Sequence, residues 1–184
     1  MSGLTVISGP TAVGKGTVVR YLLEHFDGLH LSVSATTRAP RPGEIDGKDY
    51  YFWSREQFEA AIGAGQMLEH AVVHGTNFYG TPLQPVEEAI AAGKHVILEI
   101  DLQGARQVKK MRPETRSIFI APPTWDDLVS RLQGRGTETA EDQAKRLETA
   151  KVELAAQSEF DHVVINDEVA RCAREVLELI TNPS

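Results

Sequence analysis

Residues 9 to 17 read Gly9-Pro10-Thr11-Ala12-Val13-Gly14-Lys15-Gly16-Thr17, between the apolar run Leu4 to Ser8 and a helix-forming run from Val18 to His25. Glycines let a backbone curl so that successive N–H groups converge on an anion, a helix N-terminus adds partial positive charge, and Lys15 adds a mobile cation. The order G-x-x-x-x-G-K is that of a P-loop, with one departure: Gly16 stands where a serine or threonine usually follows the lysine. The nearest hydroxyl is on Thr17. One helical step turns a side chain by about 100°, so Thr17 cannot take the same place, and magnesium held mainly by nucleotide phosphates and water, with Thr17 as a ligand, is the expectation.

Transfer of a phosphoryl group asks a protein mainly for position and positive charge. The chain offers cations in three places: Lys15 in the cradle, Arg38 and Arg41 in a proline-stiffened loop, and Arg131, Arg135 and Arg146 around a glycine-bearing charged stretch. Arg131 and Arg135 are four apart and would share one helix face. Asp101 follows the apolar run His95 to Ile100, at a strand's carboxyl end, where open α/β sheets bind ligands. Glu99, two residues earlier, would face the same side and could orient Arg38 or a magnesium-bound water.

Elements must hold these groups in place. Short apolar runs at residues 4–8, 29–33, 95–100, 117–121 and 162–165 alternate with helical periodicity, which predicts an α/β fold with a parallel sheet of about five strands covered by helices on both faces. Helix starts are marked by Ser54 with Gln57, Thr124 with Asp127 and Thr139 with Asp142, and Asp167 is the expected cap of the last helix. Two stretches break the alternation: residues 35–81 read as a small antiparallel insertion, and 134–148 as a mobile lid. The core is then 1–34, 82–133 and 149–184.

Composition sets bounds. A chain of 184 residues with 41% hydrophobic content suits one domain. A formal charge of −7 argues against a nucleic-acid surface, so any phosphate must be held by a local basic cluster. The single cysteine, Cys172, cannot form an internal disulfide, and no signal segment or long apolar span is seen, so the chain reads as cytoplasmic with no membrane partner. Oligomeric state is left open.

Several segments together are more specific than any one. Ser8-Gly9-Pro10 with Gly14-Lys15, Ser32 through Glu44, Gly47-Lys48-Asp49-Tyr50, Tyr79-Gly80-Thr81, Glu99 through Gly104, Phe119 through Pro123, and Arg131 through Thr137 resemble, in order, the motif series of guanylate kinases. The resemblance covers nearly the whole chain. It implies a P-loop three-layer fold and transfer of the terminal phosphoryl group of MgATP to GMP, and to dGMP, in purine nucleotide metabolism. It assigns Gly9 through Thr17 to ATP, with Asn166 near the ATP base. Arg38, Arg41, Tyr50 and Tyr79 are assigned to the GMP phosphate, and Ser34 lies beside the guanine. Glu69, Thr81 and Asp101 read the base; Arg135 and Arg146 close on the phosphates with Arg131 in support. Thr17 and Glu99 are the candidates for magnesium, Glu99 through water.

The base assignment has its own chemistry. Guanine presents N1–H and N2–H donors beside the O6 acceptor, whereas the matching edge of adenine has no such donor pair. Glu69 could accept from both donors, Asp101 could accept again, and the hydroxyls of Ser34 and Thr81 could donate to O6. Two other readings are a phosphopeptide-binding scaffold of the same shape and a kinase acting on AMP or another small phosphorylated acceptor. A scaffold needs no P-loop lysine, and Glu69 with Asp101 argues against adenine.

Overall fold

The computed structural model describes residues 3–73, 76–134 and 139–182. The chain opens with strand β1 (Gly3–Ser8), helix α1 (Lys15–His25) and β2 (Leu29–Leu31), then enters a second region of β3 (Ala35–Thr36), β4 (Tyr51–Phe52), α2 (Arg55–Gly63), β5 (Met67–Val73) and β6 (Asn77–Pro82). It returns through α3 (Leu83–Ala91) to β7 (His95–Glu99), α4 (Leu102–Met111), β8 (Arg116–Ala121), α5 (Trp125–Gln133), α6 (Ala140–Ala155), β9 (His162–Ile165) and α7 (Val169–Thr181). None of the described helices is long and apolar enough to cross a membrane.

The main sheet has five strands in the order β2-β7-β1-β8-β9, all parallel. Its strands lack polar alternation because both faces are covered. Ile7, Ile97, Ile118 and Ile120 point to one side, against Val18, Val19 and Leu22 of α1 and Cys172, Ala173 and Val176 of α7. Val6, Val96 and Leu98, offset by one residue, point to the other side, against Val86 of α3 and Ala105 and Val108 of α4. A period of two on doubly covered strands therefore gives two cores on one sheet.

The second sheet runs β4-β3-β6-β5. It is mixed rather than antiparallel throughout: β3 pairs antiparallel with β6 but parallel with β4, the chain between them spending residues 37–50 on a long crossover. Ala35, Phe58, Ala61 and Met67, with Tyr51, Trp53, Ile62 and Phe78 against them, form its own small core.

Three of the expected caps are present, at Ser54, Thr124 and Thr139, and Ser54 with Gln57 makes a full capping box. Asp167 does not cap α7; the N-cap is Glu168, without a side-chain bond, and Asp167 accepts instead from the Glu168 amide and from Arg171. The local ion pair with Arg171, four residues on, outcompetes the cap. Within the stretch 134–148 expected as a mobile lid, the chain is helical from Ala140 onward, where the expected Thr139 cap starts α6.

One glycine is required by the close pairing of β5 with β6 in the second sheet. The β5–β6 register shifts between Met67 and Glu69, and across that shift a Cβ on Gly80 would stand 2.5 Å from the Glu69 carbonyl oxygen and 2.8 Å from Met67 Cε. Both neighbours are packed, so an added methyl has nowhere to go. Gly80→Ala is expected to lower stability by about 1–3 kcal/mol, the range for overpacking a filled interior. Urea denaturation at constant pH measures it; a change under about 0.5 kcal/mol would mean the strand pair yields freely.

Candidate functional site

The cradle forms where β1 ends and α1 begins. Gly14 is the N-cap of α1 in the left-handed region (φ 90°) with no side-chain cap, so the first amides of the helix are left for a ligand. Ala12 is also left-handed (φ 66°), a cost a non-glycine residue bears only where the surroundings enforce it. Those surroundings can be named. Val13's carbonyl accepts from Asn166 Nδ2 at 2.8 Å and from Arg131 Nη1 at 3.1 Å, while Arg131 Nη2 donates to the Asn166 carbonyl at 2.9 Å. A Cβ on Gly14 would lie 2.7 Å from Asn166 Nδ2, so this brace also requires glycine there.

Arg131 and Asn166 thus hold the loop from the side away from the cavity. Arg131 donates to the Val13 and Asn166 carbonyls and the Asn166 amide to Val13, and neither residue lines the cavity. The pairing of Arg131 with Arg135 on one helix face cannot be followed: α5 ends at Gln133, and Arg135 lies outside the described residues.

The cavity above the loop, about 410 Å³, is lined by Gly9 to Ala12, Gly14 to Thr17, Arg20, Glu99, Asp101 and Glu153. Lys15 is held rather than mobile. Its Nζ sits 3.5 Å from the Ile100 carbonyl, and burial lowers its pKa while Glu99, Glu153 and Asp101 pull the other way. Gly16 and Thr17 are exposed, and a Cβ on Gly16 would stand 3.4 Å from Glu99 Oε1. Glu99 therefore borders the place where the family hydroxyl would be, and it does not orient Arg38, which is engaged elsewhere. Among the described residues no three His, Cys, Asp or Glu side chains gather as a metal cage. Of the oxygen donors lining the cradle, the Thr17 hydroxyl and the Glu99 carboxylate beside Gly16 fit a hard cation carried in on nucleotide phosphates.

Glu153 escaped the sequence reading. It projects from α6 into this cavity, accepts from the Thr11 amide, and its Oε2 is buried with no hydrogen-bond partner among the described residues. Burial raises its pKa. Its signal was spacing: Glu153 lies seven residues after Arg146, two turns along the same face of α6.

A second group of polar residues lies on the smaller sheet. Arg38 donates to Tyr79 Oη at 3.2 Å and makes a two-bond fork to Glu44, 2.9 Å on each arm, with its guanidinium 5.3 Å from the centre of the Tyr50 ring. Tyr50 and Tyr79 meet edge to face at 6.1 Å. Arg41 is exposed beside them, and the Ser34 carbonyl accepts from the Tyr51 amide where β3 meets β4.

Glu69 links the two regions. It lies on β5 opposite Thr81, and Thr81 Oγ1 donates to Glu69 Oε1 at 2.8 Å. The Thr81 proton is therefore spent on the carboxylate and not free for a ligand acceptor. Glu69 Oε2 faces the first turn of α4: a Cβ on Gly104 would stand 3.0 Å from it and 3.3 Å from Asp101 Oδ1. Asp101 caps α4 through the Gly104 amide at 2.8 Å while also lining the cradle cavity. Burial, with Asp101 close by, pushes the Glu69 pKa up to about 7 against the relief given by Thr81. A neutral-pH carboxyl that wants donors sits beside an anion cradle.

Arg146 lies half-buried on α6. A larger cavity of about 930 Å³ opens at the amino ends of the main strands, but its Lys109 and Arg112 are already paired with Asp161 and Glu87.

A family model for guanylate kinase matches residues 1–183. The chain is 60% identical to the guanylate kinase of Leifsonia xyli subsp. xyli over 96% of this chain and 70% of that one. It is 57% identical to that of Nocardia farcinica over 97% and 93%. The crystal structure of guanylate kinase from Anaplasma phagocytophilum superposes with a TM-score of 0.74 at 35% identity, covering 98% of this chain and 85% of that one. Shikimate kinase from Bacteroides thetaiotaomicron shares the fold, with a TM-score of 0.54 at 12% identity.

The raised Glu69 pKa has a consequence for the ligand-free protein. Between the unfolded value of 4.5 and the folded value of about 7 the native state binds the extra proton, so stability falls as pH rises through that window. The full loss from this one group is about 3 kcal/mol above pH 7. Glu69→Gln is expected to flatten that decline, so that the variant gains on the parent between pH 5 and 8 in urea denaturation; a pH-independent difference would remove the buried-carboxyl reading.

Proposed function

The chain belongs to the guanylate kinase family and phosphorylates GMP, and from that premise we propose how its residues divide the work. The donor, ATP, lies with its phosphates in the cradle of Gly9 through Thr17, where the uncapped amides of α1 and Lys15 face it. The acceptor phosphate lies at Arg38, Arg41, Tyr50 and Tyr79, and the guanine lies over Glu69 and Asp101 beside Ser34. The observation that carries this reading is Asp101: it lines the phosphate cavity and caps the first turn of α4 at Gly104, the glycine that Glu69 Oε2 also faces from β5, so one residue borders both sites.

Glu69 is the base-reading group. Among the described residues its carboxylate is answered by Thr81, and the N1–H and N2–H of guanine supply two donors that an adenine edge lacks. Thr81 serves by orienting that carboxylate. Binding GMP favours the ionised form, so the base and the buried group stabilise each other. Asp101, exposed and using Oδ1 on its helix cap, keeps Oδ2 for the base.

Transfer then needs charge around the moving group and exclusion of water. Lys15 supplies one cation from below, and its burial makes that charge less screened. Arg38 and Arg41 supply it on the acceptor side and Arg146 from α6; Arg135, which lies outside the described residues, is assigned with them, and Arg131 braces the loop. Thr17 and, through water, Glu99 are the residues that would hold magnesium, which would supply neutralisation of phosphate charge there.

An assay of ADP release with MgATP against GMP, dGMP, AMP, UMP and CMP tests this directly. GMP and dGMP are expected to turn over, with AMP slower by roughly 10⁴ or more in kcat/KM, the discrimination available to a site that must pair a polar edge. Comparable rates with AMP would sink the Glu69 assignment. Lys15→Ala is expected to lower kcat by roughly 10²–10³, the loss seen when one preorganised charge is removed, while GMP still binds. Retained turnover would place the transferring phosphate elsewhere.

A further inference from the structure

Arg38 is not a free cation waiting for an anion. A guanidinium has five N–H donors, and here four are committed: Nε to Tyr79 Oη, Nη1 to the Ala39 carbonyl and to Glu44 Oε2, and one on Nη2 to Glu44 Oε1. Glu44 does more than pair with it. Its Oε2 also accepts the Arg41 amide at 2.7 Å, so one carboxylate ties together the two arginines of the acceptor side.

The local sequence explains why Glu44 arrives there. Arg41-Pro42-Gly43-Glu44 forms a reverse turn closed by the Glu44 amide on the Arg41 carbonyl at 3.0 Å, with Pro42 and Gly43 at its corners. Gly43 is left-handed (φ 88°), and nothing lies within 4 Å of a Cβ placed on it. The glycine is therefore needed for backbone conformation, the signature of a Pro-Gly type II turn. That turn folds the Glu44 side chain back over residues 38 to 41.

We propose that Glu44 is the positioning residue of the acceptor-phosphate clamp: it fixes the Arg38 guanidinium and the Arg41 backbone before GMP arrives, so that the phosphate meets preset donors. The proposal rests on the acceptor-site assignment above. A fully exposed ion pair would hold little, since solvent screens the charges and the long side chains lose entropy on pairing. This pair is different, with side chains only 14% and 20% exposed, both arms of the fork made, and the guanidinium backed by Tyr50 and Phe52. The Arg38 fork and the Arg41 amide hold the Glu44 carboxyl down to about 2, so it stays charged throughout the working pH range.

The geometry also limits what Arg38 offers. One N–H on Nη2 is uncommitted within this set, and Tyr79's hydroxyl, which accepts from Arg38, keeps its own proton to donate. Arg38 thus contributes a single bond and a fixed charge, with Tyr79, Tyr50 and Arg41 completing the shell. Freezing a rotamer-rich side chain in advance removes its ordering cost from binding; losing Glu44 also loosens the Arg41 turn.

Steady-state kinetics of Glu44→Gln and Arg41→Ala, with calorimetric binding of GMP and of guanosine, test the proposal. Glu44→Gln is expected to raise the KM for GMP at least tenfold, leave the KM for ATP within twofold and kcat within threefold, and leave guanosine affinity unchanged, because only the phosphate loses its clamp. If the KM for GMP is unchanged or falls while Arg41→Ala raises it, Glu44 is not a positioning residue. Equal losses of GMP and guanosine affinity also overturn it, since the variant then disturbs the fold of the insertion. If Arg41→Ala too leaves GMP unaffected, the acceptor-site assignment itself fails.

Discussion

A carboxyl group shut away from water, answered by the hydroxyl and the backbone of one threonine, constrains everything around it. Glu69 is 7% exposed, and its surroundings are shaped by the need to admit it and nothing larger. Gly80 removes a side chain that would strike its backbone, Gly104 removes one that would strike its Oε2, and the register shift at Leu68 turns it toward α4. Thr81, fully buried, has its hydroxyl committed to it. Desolvation leaves the group half neutral near pH 7 and short of donors, the condition in which a base with two adjacent N–H groups is worth most.

The phosphate side obeys the opposite requirement. There the donors must be in place and the backbone strained, so the bracing comes from far along the chain. Asn166 and Arg131 converge on one carbonyl, Val13, fixing a loop whose Ala12 and Gly14 are both left-handed. A chain with an overall charge of −7 gathers its phosphate-binding groups locally, and the carboxylates Glu99, Asp101 and Glu153 around Lys15 hold that lysine's charge against burial. Glu44 does for Arg38 what these carboxylates do for Lys15, with better geometry.

Much of this was written in local sequence. The five parallel strands followed from apolar runs without alternation, the cradle from glycine spacing beside a lysine, and three helix starts from a hydroxyl followed three residues later by an answering side chain. What local sequence could not carry was choice between partners. Asp167 could cap α7 or pair with Arg171, and Glu99 could meet Arg38 or the cradle; each outcome depended on which competitor the fold brought closer. Thr81 could donate to a ligand or to Glu69, and only the β5–β6 register decides that. The parallel pairing of β3 with β4 and the entry of Glu153 into the cavity are long-range results of the same kind.

The central claim is that Glu69 exchanges its proton for the donor edge of guanine. Calorimetric titration of GMP at pH 7, repeated in buffers of different ionisation enthalpy and compared with Glu69→Gln, counts the protons moved. With a pKa of about 7 in the free protein, the account predicts release of roughly half a proton more from the parent than from the variant, since the phosphate's own contribution is common to both. Identical proton counts for the two proteins would contradict it.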